Sequence, residues 1–153
     1  MIDRKWQKGE YLISTDKERL DLRAIHDFLK HSYWAEDLPF EILEKSVHNS
    51  LVFGVYRQEK QIGFARVITD YSTFAYLADV FVLEQFRKIG LGKWLIETII
   101  NHPDLQGLRR FLLVTKDAHE LYQKFGFFEL NKPERFMEKW HPNIYKQSKS
   151  SYE

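Results

Sequence analysis

The segment Arg87-Lys88-Ile89-Gly90-Leu91-Gly92 collects residue types suited to holding an anion. Two glycines let a ligand approach the main chain with no Cβ in the way. The run Ala75-Tyr76-Leu77-Ala78-Asp79-Val80-Phe81-Val82 before it is rich in β-formers, and residues 93–100 after it are amphipathic and carry no breaker. A helix starting here presents unpaired N–H groups and the positive end of its dipole. Arg87, Lys88 and Lys93 add full positive charge around that point. A phosphate or pyrophosphate is the predicted ligand, set against the plainer reading of a solvated basic face.

Two familiar nucleotide loops do not fit. A P-loop needs glycine five residues before its Gly-Lys pair and Ser or Thr after it. Arg87 and Trp94 occupy those places. A Rossmann fingerprint opening at Gly90 would need its third glycine where Leu95 stands. A second pattern lies downstream, where Arg110-Phe111-Leu112-Leu113-Val114-Thr115 leads into Ala118-His119-Glu120-Leu121-Tyr122 and then Phe125-Gly126-Phe127. Arg-x-x-Gly-x-Gly after a strand ending Val-x-Val resembles motif A of the GNAT superfamily, the acetyl-CoA-dependent N-acetyltransferases. A strand followed by Ala-x-x-x-Tyr and Gly-Phe resembles that family's motif B. The resemblance spans roughly residues 10–140, nearly the whole chain.

The resemblance implies an α/β (α+β) acyl-CoA N-acyltransferase fold. Its central sheet is mixed and mostly antiparallel, with helices on both faces and a V-shaped splay between the strands of motifs A and B. It implies acetyl-CoA as cosubstrate and a primary amine as acceptor. By the same likeness, the main chain at Val80, Phe81 and Val82 holds the pantetheine and acetyl group. Arg87, Lys88, Gly90, Leu91, Gly92 and Lys93 hold the pyrophosphate. Thr115 stands where many members place an Asn against the pantetheine arm, and it has a hydroxyl but a shorter reach. Tyr122 falls at the tyrosine that serves as general acid toward the departing thiolate, against the alternative of a helix residue packing beside Leu121 and Phe125. With no cysteine in the chain, the usual acyl-cysteine route is removed and direct transfer is expected. The rival readings are a non-catalytic acyl-CoA-binding module and a nucleic-acid or partner-binding protein using the basic loop.

An amine must lose a proton before attack, and a lysine-like amine starts near pKa ~10.4. Asp79 is the carboxylate of interest, alone in an otherwise apolar run. A lone buried acid is costly unless paired. Its alternation partners are Leu77 and Phe81, so a bulge in this strand would decide its face. It could relay the proton, bind the amine, or form a salt bridge with a neighbouring strand. The resemblance places the acceptor wall at the loop Tyr33-Trp34-Ala35-Glu36-Asp37, where Trp34 with Glu36 or Asp37 would suit a cationic amine. Tyr71, Phe74 and Tyr76 are further contributors, against a core-filling reading. His119 is set aside as a helix-surface residue, and six histidines without a closely spaced pair predict no metal.

The elements that must position these groups follow from local signals. Residues 10–14 read as a first strand, and Thr15 or Asp16 as the cap of a helix with Leu20, Ile25, Phe28 and Leu29 on one face. Residues 33–38 read as a loop, and Pro39 opens a helix over residues 40–47. Residues 51–57 and 62–69 form a hairpin about Gln58-Glu59-Lys60, and a turn at residues 70–73 leads into the motif A strand. Residues 127–130 and 135–139 read as a closing pair of strands whose edge could support a homodimer. A polar tail is expected from about residue 143. The chain of 153 residues reads as a single domain. Its net charge of +1 gives no general pull toward nucleic acid or membrane, and the expectation is a cytoplasmic protein.

Overall fold

The computed structural model describes residues 2–146. A six-stranded open sheet runs in chain order, β1 (Lys5–Lys8), β2 (Tyr11–Ser14), β3 (Leu51–Arg57), β4 (Lys60–Thr69), β5 (Phe74–Val82) and β6 (Arg110–Leu113). All neighbours pair antiparallel except β5 and β6, which are parallel. Antiparallel partners need only short turns, whereas the parallel pair needs a crossover. That crossover contains α3 (Leu91–Ile100). The remaining helices are α1 (Leu22–Leu29), α2 (Phe40–His48) and the short α4 (His119–Gln123).

Helices cover both faces of the sheet. Alternation sends Phe53, Val55, Ala65, Val67 and Leu77 toward Leu95, Ile96 and Ile99 of α3. Val52, Phe64 and Phe81 face Ile25 and Leu29 of α1 and Leu43 and Val47 of α2. Each fully buried side chain of this size contributes about 1.5–3 kcal/mol of transfer free energy. The expected mixed, mostly antiparallel sheet between helices is therefore what forms. Among the described residues no helix is long and apolar enough to cross a membrane.

Three expectations need correction. The first concerns the edge strand β1, which precedes the expected first strand. Its sequence Lys5-Trp6-Gln7-Lys8 is mostly polar because little of this strand is covered. The second concerns the helix placed at Thr15 or Asp16. Asp16 instead caps a 3-10 turn over Lys17–Arg19, Leu20 returns to extended backbone, and Asp21 caps α1 by accepting from Ala24 N–H at 3.0 Å.

The third concerns the closing strands at residues 127–130 and 135–139, which do not form. Gly126 turns the chain at φ 90, and Pro133, which has no N–H to give a ladder, opens a 3-10 turn. The four-residue β6 is a short template, and a groove of about 940 Å³ separates it from this segment. The dimer edge expected from those strands is absent with them. The tail beyond residue 146 lies outside the described residues.

His102 is fully buried against Trp6 and Phe53, with ring centroids 6.0 and 5.7 Å away. Its Nδ1 accepts from Asp104 N–H at 3.0 Å, which puts the ring proton on Nε2. Burial pushes this imidazole below its ordinary value of 6.5. The unfolded chain therefore takes up the proton first, so stability present above pH ~6.5 is lost as pH falls. His102→Asn keeps a side-chain acceptor for the same turn. Its melting temperature is expected to fall less than the parent's between about pH 7.5 and about pH 5.5. Equal slopes in scanning calorimetry would remove His102 as the source.

Candidate functional site

The site forms where β5 stops pairing with β6. Their ladder ends at Leu77 and Leu113, while β5 continues to Val82. The β6-facing edge of residues 78–82 is thus freed from the ladder, and its N–H groups are available to a ligand. On its other side β5 stays paired with β4, but with one extra residue. Phe64 opposes Phe81 and Arg66 opposes Ala78, leaving Asp79 and Val80 against Ala65. Asp79 takes φ 57, a left-handed conformation that Asp tolerates better than most residues.

The bulge answers which face Asp79 takes. Leu77 belongs to the α3 side and Phe81 to the α1–α2 side, so the phase changes between them. Asp79 accepts from Arg66 Nε at 2.8 Å through Oδ2 and from Trp34 Nε1 at 3.0 Å through Oδ1. The Asp79 and Arg66 side chains are only 9% and 15% exposed. Arg66 also donates to Ser50 Oγ at 3.2 Å. Both carboxylate oxygens are engaged, which is the geometry of a salt bridge with a neighbouring strand.

Trp34 is held over the cleft on the loop between α1 and α2. Its ring meets Tyr33 edge-on at 5.1 Å and Phe28 at 6.4 Å, and Phe28 stacks on Phe81 at 4.0 Å. Tyr33 reaches across to the opposite wall, where its hydroxyl accepts from Lys116 N–H at 3.3 Å. Beneath this loop lies a cavity of about 440 Å³, between β5 on one side and Leu113, Val114, Thr115, Asp117 and Ala118 on the other.

Tyr122 lies at the floor of that cavity and also lines the 940 Å³ groove. Burial pushes its phenol up to about 12, with Tyr33 adding to the effect, so it stays protonated at neutral pH. Thr115 Oγ1 accepts from Ala118 N–H at 3.1 Å and so starts the α4 turn. Its hydroxyl proton remains available to a ligand.

The basic loop follows β5 directly. Gly90 takes φ 89 at the N-cap of α3, where no side chain caps the helix. A Cβ built at Gly90 or Gly92 would meet nothing within 4 Å. Protein packing therefore does not explain Gly92, which lies inside the first helical turn. Lys88 and Lys93 are exposed. Arg87 donates from Nε to Val82 C=O at 2.8 Å, tying the loop to the strand end.

The structure thus brings Tyr122, Thr115, Val80, Asp79 and Trp34 to one cavity. The glycine loop lies just beyond the end of the same strand. Phe81 and Val82 are buried, Phe81 opposes Phe64 in the β4 ladder, and Val82 C=O is taken by Arg87. Glu36 and Asp37 do not line the cavity. Asp37 takes φ 65 and donates from its N–H to Lys30 C=O at 3.0 Å, which turns this stretch back toward α1. Of the three aromatics around the 70–73 turn, Tyr76 lines the cavity and Tyr71 and Phe74 do not.

Tyr33, in the loop expected to build the acceptor wall, lines the cavity, whereas Arg66, Asp117 and Tyr145 are wall residues that sequence reading missed. Arg66 and Tyr145 carried no local signal.

Comparison with known proteins gives a consistent result. The sequence model of the Acetyltransferase (GNAT) family matches residues 16–127. A crystal structure from Xanthomonas campestris pv. campestris, described as a provisional GNAT acetyltransferase, is 44% identical with a TM-score of 0.88. It covers 91% of this chain and 99% of its own. A Gibberella zeae protein provisionally named an acetyltransferase is 36% identical over 78% of this chain and 79% of its own. A GNAT acetyltransferase from Elizabethkingia anophelis, solved with acetyl-CoA bound, shares the fold at a TM-score of 0.62 and 17% identity. That likeness covers 88% of this chain and 90% of the other.

Asp79→Asn keeps the shape, tolerates the same φ and removes the charge that Arg66 faces. It is expected to cost about 2 kcal/mol of folding stability in urea denaturation. A loss below about 0.5 kcal/mol would reduce the pair to the standing of a surface ion pair.

Proposed function

The chain belongs to the GNAT acetyltransferase family, and we propose that it transfers an acetyl group from acetyl-CoA directly to a primary amine. The observation that carries this reading is the freed edge of β5 over residues 78–82, set between an uncapped helix start and the buried phenol of Tyr122. An anionic pyrophosphate fits the helix start. The space at Gly90 and Gly92 is open, three cations surround it, and the first amides of α3 have no intrahelical partner. The Elizabethkingia protein carries acetyl-CoA on the same fold. Acetyl-CoA supplies the activated thioester.

The residues divide the remaining work. Main-chain N–H groups along residues 78–82 orient the acetyl carbonyl and stabilise the oxyanion that develops on its oxygen. The amine enters under Trp34 and attacks the carbonyl carbon, forming the C–N bond as the C–S bond breaks. Tyr122, kept protonated by its burial, gives its proton to the leaving sulfur. The ammonium gives one proton to water at the cavity mouth before it attacks. The second proton, lost from nitrogen once the C–N bond has formed, returns through water to the Tyr122 phenolate. Asp79 acts here as a positioning residue, holding Trp34 and Arg66 with its two oxygens.

Two variants test separate parts. Gly92→Ala should stabilise the protein by up to about 1 kcal/mol, because glycine is the poorer helix former. It should weaken acetyl-CoA binding at least about tenfold by placing a methyl against the ligand. Unchanged affinity in calorimetric titration would sink the pyrophosphate assignment. Tyr122→Phe should lower kcat by about 10²–10⁴ with acetyl-CoA affinity retained. An unchanged rate would remove Tyr122 from proton transfer.

A further inference from the structure

Resting on the acetyltransferase reading, we propose that the acceptor is a small primary amine with one positive charge on an apolar body, an aralkylamine or short alkylamine, held in an aromatic cage. The cavity under the α1–α2 loop is ringed by Tyr33 and Trp34, by Tyr76 of β5, by Tyr122 of α4 and by Tyr145 from the C-terminal segment. Tyr145 packs against the α1–α2 core cluster, so the last part of the described chain returns to form one wall. Aromatic faces attract an ammonium, and phenol oxygens accept its N–H groups.

The charges of the cavity narrow the acceptor further. Among the described residues Arg66 is the sole cation in the wall, and Asp79 neutralises it. Lys116 is outside the lining and sends its ammonium over the Tyr33 ring at 5.3 Å. Asp117 is an exposed carboxylate at the rim with no ion-pair partner among the described residues. A sugar phosphate or amino-acid carboxylate would meet no free cation and would face Asp117. A polyamine would bring several ammoniums to one free carboxylate, leaving the others desolvated without compensation. A volume of about 440 Å³ suits a single-ring amine and is small for an oligosaccharide or folded peptide.

The test pairs binding with turnover, using the full-length protein. Calorimetry with 2-phenylethylamine in the presence of CoA reads the cage, and CoA release with acetyl-CoA reads the reaction. The expected result is kcat/KM for 2-phenylethylamine and tyramine at least about 100-fold above that for glucosamine 6-phosphate, aspartate and spermidine. Tyr145→Ala should weaken 2-phenylethylamine binding about tenfold, in the range of a desolvated cation–π contact, while acetyl-CoA affinity stays as in the parent. Preference for an anionic or polycationic amine would overturn the acceptor and leave the transferase standing, as would indifference to Tyr145→Ala. Absence of acetyl-CoA binding, or amine binding that never leads to CoA release, would overturn the transferase reading and the acceptor with it.

Discussion

The site depends on one carboxylate held in a strained place. Asp79 occupies the extra position of a bulge, in a left-handed conformation that costs on the order of 1–3 kcal/mol. Arg66 and Trp34 hold it there by a charge-assisted bond and an indole N–H bond. Each of the three has a distinct connection to the fold. Arg66 links to Ser50 beside β3, Trp34 fixes the α1–α2 loop, and the bulge sets the direction of β5 beyond its contact with β6. Loss of the Arg66 contact leaves the largely buried Asp79 carboxylate without its charged partner, which is costlier than the bond itself was favourable.

From Trp34 inward the support is aromatic. Tyr33, Trp34, Phe28, Phe81 and Phe64 follow one another at 5.1, 6.4, 4.0 and 6.2 Å. The series runs from an exposed loop to a strand at the centre of the sheet. The loop is thereby packed, through Phe28 and Phe81, to the same strand that carries the bulge. Rings have few torsions to restrict, so this order is obtained at modest entropic cost.

The parts of the molecule that could be read in the sequence are those whose causes are local. The helix start at Gly90, the opening of α2 at Pro39 and the β3–β4 hairpin rest on residues within a few positions of each other. The place of the glycine loop at the start of α3 and of Tyr122 in α4 was legible because a fixed spacing carries them. Other features depend on distant partners. A bulge at Asp79 was foreseeable as a question, but its answer needed Arg66 and Trp34, 13 and 45 residues away. Residues 127–139 have strand-like composition without a ladder to join, and composition alone does not supply one. Tyr145 sits in a polar stretch, and only tertiary packing gives it a wall to form. Glu36 and Asp37 had suitable charges, but a backbone turn at Asp37 takes them away from the cavity.

The register of β5 bears on how fold and site are joined. On either side of the bulge the strand keeps its buried faces, with Ala75, Leu77 and Val82 toward α3 and Phe81 toward α1 and α2. With position 79 struck out, Ala78, Val80 and Phe81 would oppose Arg66, Ala65 and Phe64 in unbroken succession. Every core residue would keep its side. The hydrophobic pattern is therefore continuous across this residue, and one extra position in the strand supplies the carboxylate that ties Arg66 to Trp34.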